Sequence, residues 1–319
     1  MEILHQIGDF FLFLHKKSGI MNQEAKSTFK ISWPVKVLLL VAMMLLALFT
    51  VALIVALVFG FNNTGQATQT VTMVLQNVVV FIVPVILLAT RVKLVEGKPV
   101  AATMWLRRGP SLRSLTLVVI VYLVALPAMN YIVDWNESIK LPATLHGLEE
   151  QLRAMEDQAQ LVTQAMLNTN SWLMMLVMVL VVGVLTGMGE ETFFRAGLLG
   201  SMSDGKVNRH VAVWTVALIF SAFHMQFFGF VPRMLLGAWF GYLMLWSGEV
   251  WTPMIAHALN NSAVVVATFL ANNHCINNNY LETLGVPQQG ETPWLAIASA
   301  VATAIVIGIF MRNNKNNKS

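Results

Sequence analysis

Residues 172–195 read WLMMLVMVLVVGVLTGMGEETFFR. The first part of this stretch is almost pure hydrocarbon, and a helix needs about 20 such residues to cross a membrane core. Two adjacent carboxylates, Glu190 and Glu191, and the guanidinium of Arg195 follow it at once. Ionisable groups at membrane depth are costly and usually functional. The stretch therefore predicts a membrane-spanning helix that ends in a functional site.

The composition of the whole protein indicates the same class. Of its 319 residues, 56% are hydrophobic and 11% are charged, against about 25% charged in ordinary soluble domains. The net charge of +4 does not indicate a nucleic-acid partner, because the basic residues lie between and beside apolar segments. The single cysteine, Cys275, excludes an intramolecular disulfide and a thiolate metal cluster. We predict an all-α, polytopic membrane helix bundle whose environment is the lipid bilayer.

Eight apolar segments are candidates for spanning helices. They are residues 35–61, 72–90, 115–133, 171–188, 211–230, 234–247, 250–270 and 293–311, of which 234–247 is short. Lys and Arg residues concentrate before the first segment, after the second and fourth, and in the tail. Eight crossings place all of these on one side, which the positive-inside rule makes cytoplasmic, so both termini are expected there. Arg233, between the fifth and sixth segments, is the exception.

These segments define the expected organisation of the protein. Residues 1–34 are a cytosolic N-terminal segment, 35–312 one integral membrane domain and 313–319 a cytosolic tail. The long outer connection, 134–170, repeats Leu145, Leu148, Leu152 and Met155 at helical spacing, with charged residues between them. It predicts one amphipathic outer helix between the third and fourth spans. That helix either lies on the outer leaflet or packs over the bundle, as a solvated connection or as a gate for substrate.

Glu190 and Glu191 are expected to differ in role. On a helix their side chains point about 100° apart. Glu191 and Arg195 are four residues apart, so they can pair on one face and keep Glu191 ionised. Glu190 is then free to face the interior of the bundle as a general base. For any one of these charges alone, an interfacial ion pair at a helix end is the simpler interpretation.

Three further polar residues lie in later apolar segments. His224 follows an aromatic run in the fifth segment, and His257 and Asn261 lie one turn apart on one face of the seventh. A lone histidine on an apolar helix is more often a packing residue, and a His/Asn pair can equally join two helices. Together, however, a carboxylate base, a histidine to position water and two donors are the parts needed to attack an acyl carbon and stabilise its oxyanion.

The ordered set Glu190-Glu191-x-x-x-Arg195, Phe220-x-x-x-His224 and His257-x-x-x-Asn261 resembles the signature of the CAAX-protease and bacteriocin-processing family, which are intramembrane glutamic endopeptidases. The match covers a core of about 171–270, and the N-terminal half has no matching motif. The resemblance implies a cavity open to the cytoplasmic leaflet. A cavity mouth near that leaflet predicts a membrane-proximal peptide or protein substrate, and we expect no cofactor. The resemblance also implies that Glu190 and His224 activate water while His257 and Asn261 form the oxyanion hole, with Glu191 and Arg195 in support.

Other functions remain open at this point. Glu and His side chains are acceptable zinc ligands, so a zinc-dependent intramembrane hydrolase is one alternative, although Asn261 is a poor zinc ligand. A non-catalytic bacteriocin-immunity or scaffold protein of the same fold is another. A transporter is less well supported, because no symmetric pair of broken helices is evident. The expected location is the bacterial inner membrane, as a multi-pass protein.

Overall fold

The computed structural model describes residues 30–60, 65–205, 207–276, 283–288 and 290–316. In these ranges the protein forms helices and no strand, so the all-α prediction is confirmed. The longer helices are α1 Trp33–Phe59, α2 Gln66–Glu96, α3 Leu112–Glu137, α4 His146–Leu167, α5 Trp172–Ser203, α6 Arg209–Phe223, α7 Phe230–Ser247, α8 Trp251–Asn272 and α9 Trp294–Asn316. A short helix at Val100–Thr103 and a 3₁₀ turn at Ala143–Leu145 lie in connections.

Contacts between the connections define the two ends of the bundle. At one end, Asp204 after α5 binds Lys36 in α1 at 3.3 Å and Lys98 after α2 at 3.0 Å. At the other, Glu156 of α4 accepts a hydrogen bond from Gln226, between α6 and α7, at 3.0 Å. Successive spanning helices therefore run in alternate directions between these ends.

The two ends have opposite charge in the part of the protein that the structure describes. The first, here called the basic end, has ten basic side chains against the acids Glu96, Asp204 and Glu249. The basic residues are Lys30, Lys36, Arg91, Lys93, Lys98, Arg107, Arg108, Arg113, Arg209 and Arg312. The other, the acidic end, has Lys140, Arg153 and Arg233 against Asp134, Glu137, Glu149, Glu150, Glu156, Asp157 and Glu291. By the positive-inside rule, the basic end is expected in the cytoplasm.

The outer surface of the bundle is apolar. On α1, Leu46 is 68% exposed, Phe49 69% and Leu57 73%, and a stripe of this kind belongs against lipid. Within the described residues, six helices are long and apolar enough to cross a membrane: α1, α2, α3, α5, α8 and α9. The protein is thus an integral multi-pass membrane protein. Because α6 has only 15 residues, the count of eight crossings stays a prediction, as does the side on which the termini lie.

Two predicted boundaries are wrong, and both errors affect the site. The fourth span does not end at Met188, because α5 continues to Ser203, and Glu191 and Arg195 form a buried ion pair within it. The fifth span, predicted as 211–230, ends at Phe223, and Met225 then adopts a left-handed φ of 55°. The predicted N-terminal segment lies outside the described residues up to position 29, as does the tail from 317.

The outer helix α4 packs across the acidic end. The guanidinium of Arg153 lies 4.0 Å from the ring centre of Phe228, and Glu156 accepts the Phe228 N–H at 3.3 Å. At its N-terminus, Glu149 accepts from the Leu141 N–H at 2.8 Å and from Arg153. These bonds, that of Leu141 first, lower the pKa of Glu149 below its ordinary value of 4.5. Of the two predicted arrangements, α4 therefore adopts packing over the bundle.

Candidate active site

A cavity of about 660 Å³ reaches into the bundle from the acidic end. Its wall includes all four residues predicted to be catalytic, which are Glu190, His224, His257 and Asn261. They come from α5, from the turn after α6 and from α8, so folding brings together residues up to 71 positions apart. The predicted supporting residues, Glu191 and Arg195, do not line this cavity.

The helix α5 separates the two glutamates. Residues Thr186–Glu191 are α-helical, between π-helical stretches at Val179–Leu185 and Thr192–Leu199, and such stretches are frequent at functional sites. Glu190 points into the cavity, and its Oε2 is buried without a hydrogen-bond partner among the residues that the structure describes. Glu191 points away from the cavity and is fully buried.

Glu191 contacts both Arg195 and His257, which lie 62 positions apart in the sequence. Its Oε1 lies 2.7 Å from Arg195 Nη1, which is the predicted pair, and 2.9 Å from His257 Nδ1. Arg195 is also fully buried, and its Nη2 donates to the Gly237 carbonyl at 2.9 Å. Its guanidinium carbon lies 4.6 Å from the ring centre of Phe220. Arg195 thus fixes Glu191, and Glu191 in turn fixes the ring of His257.

The bonds made by the two histidines decide which ring nitrogen holds a proton. His224 Nδ1 lies 2.9 Å from the Phe220 carbonyl, which can only accept, so Nδ1 is the donor and Nε2 of the neutral ring is an acceptor. By the same reasoning, His257 Nδ1 donates to the ionised Glu191. His257 Nε2 then lies 3.9 Å from Glu190 Oε2, and the ring stacks on Phe240 with centroids 4.9 Å apart.

Asn261 is held between α5 and its own helix. Its Nδ2 donates to the Val182 carbonyl at 3.2 Å, and its Oδ1 accepts from Asn260 at 3.2 Å. An amide nitrogen has two N–H groups, so one donor remains for a ligand in the cavity. Gly187 permits this close packing of α5 on α8, because a Cβ there would lie 2.8 Å from the Ala258 backbone nitrogen.

The depth of the site differs from the sequence prediction. Glu190 was expected at the cytoplasmic end of its span, yet 13 residues of α5 follow it. His224 was predicted inside the fifth span, yet it follows the last residue of α6 at the acidic end. The cavity wall includes Glu137, Glu156 and Arg233, all at the acidic end. A cavity open to the cytoplasmic leaflet and a cytoplasmic basic end therefore cannot both be right.

Sequence reasoning missed several of the residues that form the cavity. In the sequence, Arg233 is an exception to the charge pattern, and Glu156 is one of several charged residues in the amphipathic segment 134–170. Phe240 had no distinguishing signal in the sequence, because an aromatic residue in an apolar helix is ordinary. Among the residues that the structure describes, no three His, Cys, Asp or Glu side chains are arranged to hold a metal ion.

These features define an all-helical integral membrane protein with a polar site deep between its helices. The family model described as type II CAAX prenyl endopeptidase Rce1-like matches residues 171–263. Over this segment the sequence is similar to that family, so the predicted resemblance to the CAAX-protease and bacteriocin-processing family is confirmed for residues 171–263. The match supports a CAAX protease-like peptidase in general. No curated protein and no solved structure matches the sequence.

Proposed function

We propose that this protein is an intramembrane endopeptidase in which Glu190 activates a water molecule to hydrolyse a peptide bond. The observation that supports the proposal most directly is the common cavity of Glu190, His224, His257 and Asn261, from which Glu191 and Arg195 are excluded. A scaffold would not require a carboxylate with an unpartnered oxygen beside two histidines and an amide donor.

The hydrolytic step uses the free atoms of Glu190 and His224. Water donates one hydrogen bond to Glu190 Oε2 and another to His224 Nε2, so its oxygen lone pair faces the substrate carbonyl carbon. As the O–C bond forms, Glu190 takes the first proton. Glu190 then delivers that proton to the amine nitrogen as the C–N bond breaks. The products are a carboxylic acid and an amine, and Glu190 returns to its carboxylate form.

The oxyanion is stabilised by Asn261 and His257. Asn261 offers its second amide N–H. His257 donates through Nε2 only as an imidazolium, because its Nδ1–H is already committed to Glu191. With His257 as an imidazolium, the formal charges of Glu190, Glu191, Arg195 and His257 sum to zero before attack. After attack, neutral Glu190, the oxyanion, Glu191, Arg195 and His257 again sum to zero. Constant net charge suits these four side chains because they are buried, and an uncompensated buried charge is costly.

Membrane peptidomics of cells expressing the wild type, Glu190→Gln or His224→Ala tests this function. Both variants are expected to abolish the release of the same peptides. His210→Ala is the matched histidine control, because His210 bonds Tyr242 at the basic end, outside the cavity. If peptide release survives both substitutions at normal protein levels, the protein is a non-catalytic scaffold or immunity protein. If activity instead follows a stoichiometric bound metal, the zinc alternative replaces this mechanism.

A further inference from the structure

Arg233 presents an unsatisfied cation in the same cavity. It lies in the first turn of α7 and lines the cavity with Glu190 and His224. Its Nη2 donates to Gln226 Oε1 at 2.8 Å, but its Nη1 is buried with no hydrogen-bond partner in the described ranges. A buried donor without an acceptor is expensive, and native structures hold few of them. Arg195 Nε also lacks a partner among the described residues, but Arg233, unlike Arg195, lines the cavity, where a ligand acceptor can reach it.

The neighbouring carboxylate, that of Glu156, does not accept a hydrogen bond from Arg233 Nη1. The Oε1 of Glu156 accepts from Gln226 Nε2 at 3.0 Å and its Oε2 from the Phe228 N–H at 3.3 Å. Arg233 forms no ion pair with any carboxylate among the residues described here. Glu156 instead orients Gln226, and Gln226 orients Arg233. The guanidinium is thus held in place before a ligand arrives, which lowers the entropy cost of binding.

The backbone beside Arg233 leaves room for the guanidinium. A Cβ on Gly229 would lie 2.8 Å from Arg233 Nη2, so a larger residue would displace the charged tip. Arg233 is also the single Arg or Lys side group in the described cavity wall, where Glu137, Glu156 and Glu190 are acids. A carboxylate is consequently favoured at Arg233 and disfavoured beside these three acids. A planar guanidinium with a free N–H edge matches a carboxylate best.

We propose that Arg233 binds a carboxylate of the substrate, either that of an acidic residue or that of a peptide's C-terminus. This inference rests on the proposed peptidase function, since it assigns the substrate class of that site. The bound carboxylate stays at the acidic end, and the peptide extends from it towards Glu190. Arg233 thereby sets which bond reaches the water, because the distance between anchor and base is fixed by α5 and α7.

Binding can be tested separately from catalysis in full-length protein with Glu190→Gln. Three fluorescent Ala/Leu octapeptides serve as probes: one with a free C-terminus, one amidated with a single internal Glu, and one amidated with Gln in place of Glu. Fluorescence anisotropy is expected to show at least about tenfold tighter binding of a carboxylate peptide than of the neutral peptide. Which of the two charged peptides binds identifies the source of the carboxylate.

Adding Arg233→Gln is expected to remove this preference, and Lys140→Gln, an exposed cation of the acidic end, is expected to keep it. Gly229→Ala should weaken the preference while retaining the charge, and it serves as the test if Arg233→Gln does not fold. Equal binding of charged and neutral peptides, or a preference that survives Arg233→Gln, overturns the inference. Carboxylate-dependent binding without cleavage by the wild type would instead refute only the proposed peptidase function.

Discussion

The two adjacent glutamates should respond in opposite ways to the same substitution. Glu191→Gln removes the negative charge that compensates Arg195, and both residues are fully buried. Breaking a buried ion pair by neutralising one partner typically costs about 3–5 kcal/mol, because the other charge stays buried and unpaired. Here the loss also frees His257, which shares the same Glu191 oxygen. We therefore expect Glu191→Gln to lower stability strongly and to reduce activity through the misplaced ring.

Glu190→Gln should leave stability unchanged or raise it. Its Oε2 has no hydrogen-bond partner within the described residues, and His257 Nε2, with which it can pair, lies 3.9 Å away. Neutralising this buried carboxylate relieves a desolvation cost, and His257 can release its Nε2 proton, so no unpaired charge is left. Activity should nevertheless be lost, because the amide cannot take a proton from water. Stability and function therefore separate at two consecutive positions.

Unfolding in detergent micelles, followed alongside peptide cleavage, measures both effects. A double-mutant cycle that includes Arg195→Met, alone and combined with Glu191→Gln, measures the interaction free energy between Glu191 and Arg195. The double variant is expected to be less destabilised than the sum of the single variants, because neither charge is then left alone. Equal loss of stability in Glu190→Gln and Glu191→Gln would refute the division of roles, as would additivity in the cycle.

Three further outcomes follow from the geometry. Gly187→Ala should lower the free energy of unfolding by about 1–3 kcal/mol, because its Cβ would meet backbone atoms of α8. Gly308→Ala in α9 is the control: the space around it is open, so it should leave that free energy unchanged in the same unfolding assay. If the basic end is cytoplasmic, the exposed Cys275 at the acidic end should react with a membrane-impermeant maleimide in intact cells. Labelling only after permeabilisation would show the reverse orientation. Cys275→Ser, which has no cysteine to label, is the negative control. Finally, the pKa of Glu149 is lowered in the folded state, so its hydrogen bonds should hold at neutral pH and be lost as the pH falls through that pKa. Hydrogen exchange, corrected for the intrinsic rate, should therefore rise in acid at the start of α4. Glu149→Gln should show the same raised exchange already at pH 7.

Local features of the site could be predicted from the sequence because they depend on one helix. The pair of Glu191 and Arg195 follows from a spacing of four residues, and the divergence of Glu190 from Glu191 follows from 100° per residue. The contact of His257 with Glu191 joins residues 66 positions apart. Nothing in periodicity identifies such a partner, and it depends on Gly187 letting α5 and α8 approach.

The wrong boundaries have a common physical cause. Hydropathy treats every charge as exposed to lipid, so the apolar signal of α5 stops at Met188. Glu191 and Arg195 neutralise each other inside the bundle, and the helix continues past them to Ser203. Hydropathy fails in the opposite way after α6, because residues 224–230 are apolar enough to pass as helix. A left-handed Met225 ends that helix without the glycine or proline that usually marks such a turn.

Correcting both boundaries changes how the site is assembled. Lengthening α5 moves Glu190 away from the basic end, and shortening α6 moves His224 to the acidic end. The two residues meet on the wall of a cavity whose charged rim is Glu137, Glu156 and Arg233. Access to Glu190 from the basic end would have to pass the buried layer formed by Arg195, Phe193 and Phe194, whereas the acidic end already offers an open path. The side of the membrane from which substrate arrives is thus set by the orientation of α4, and the charge distribution predicts that α4 lies outside.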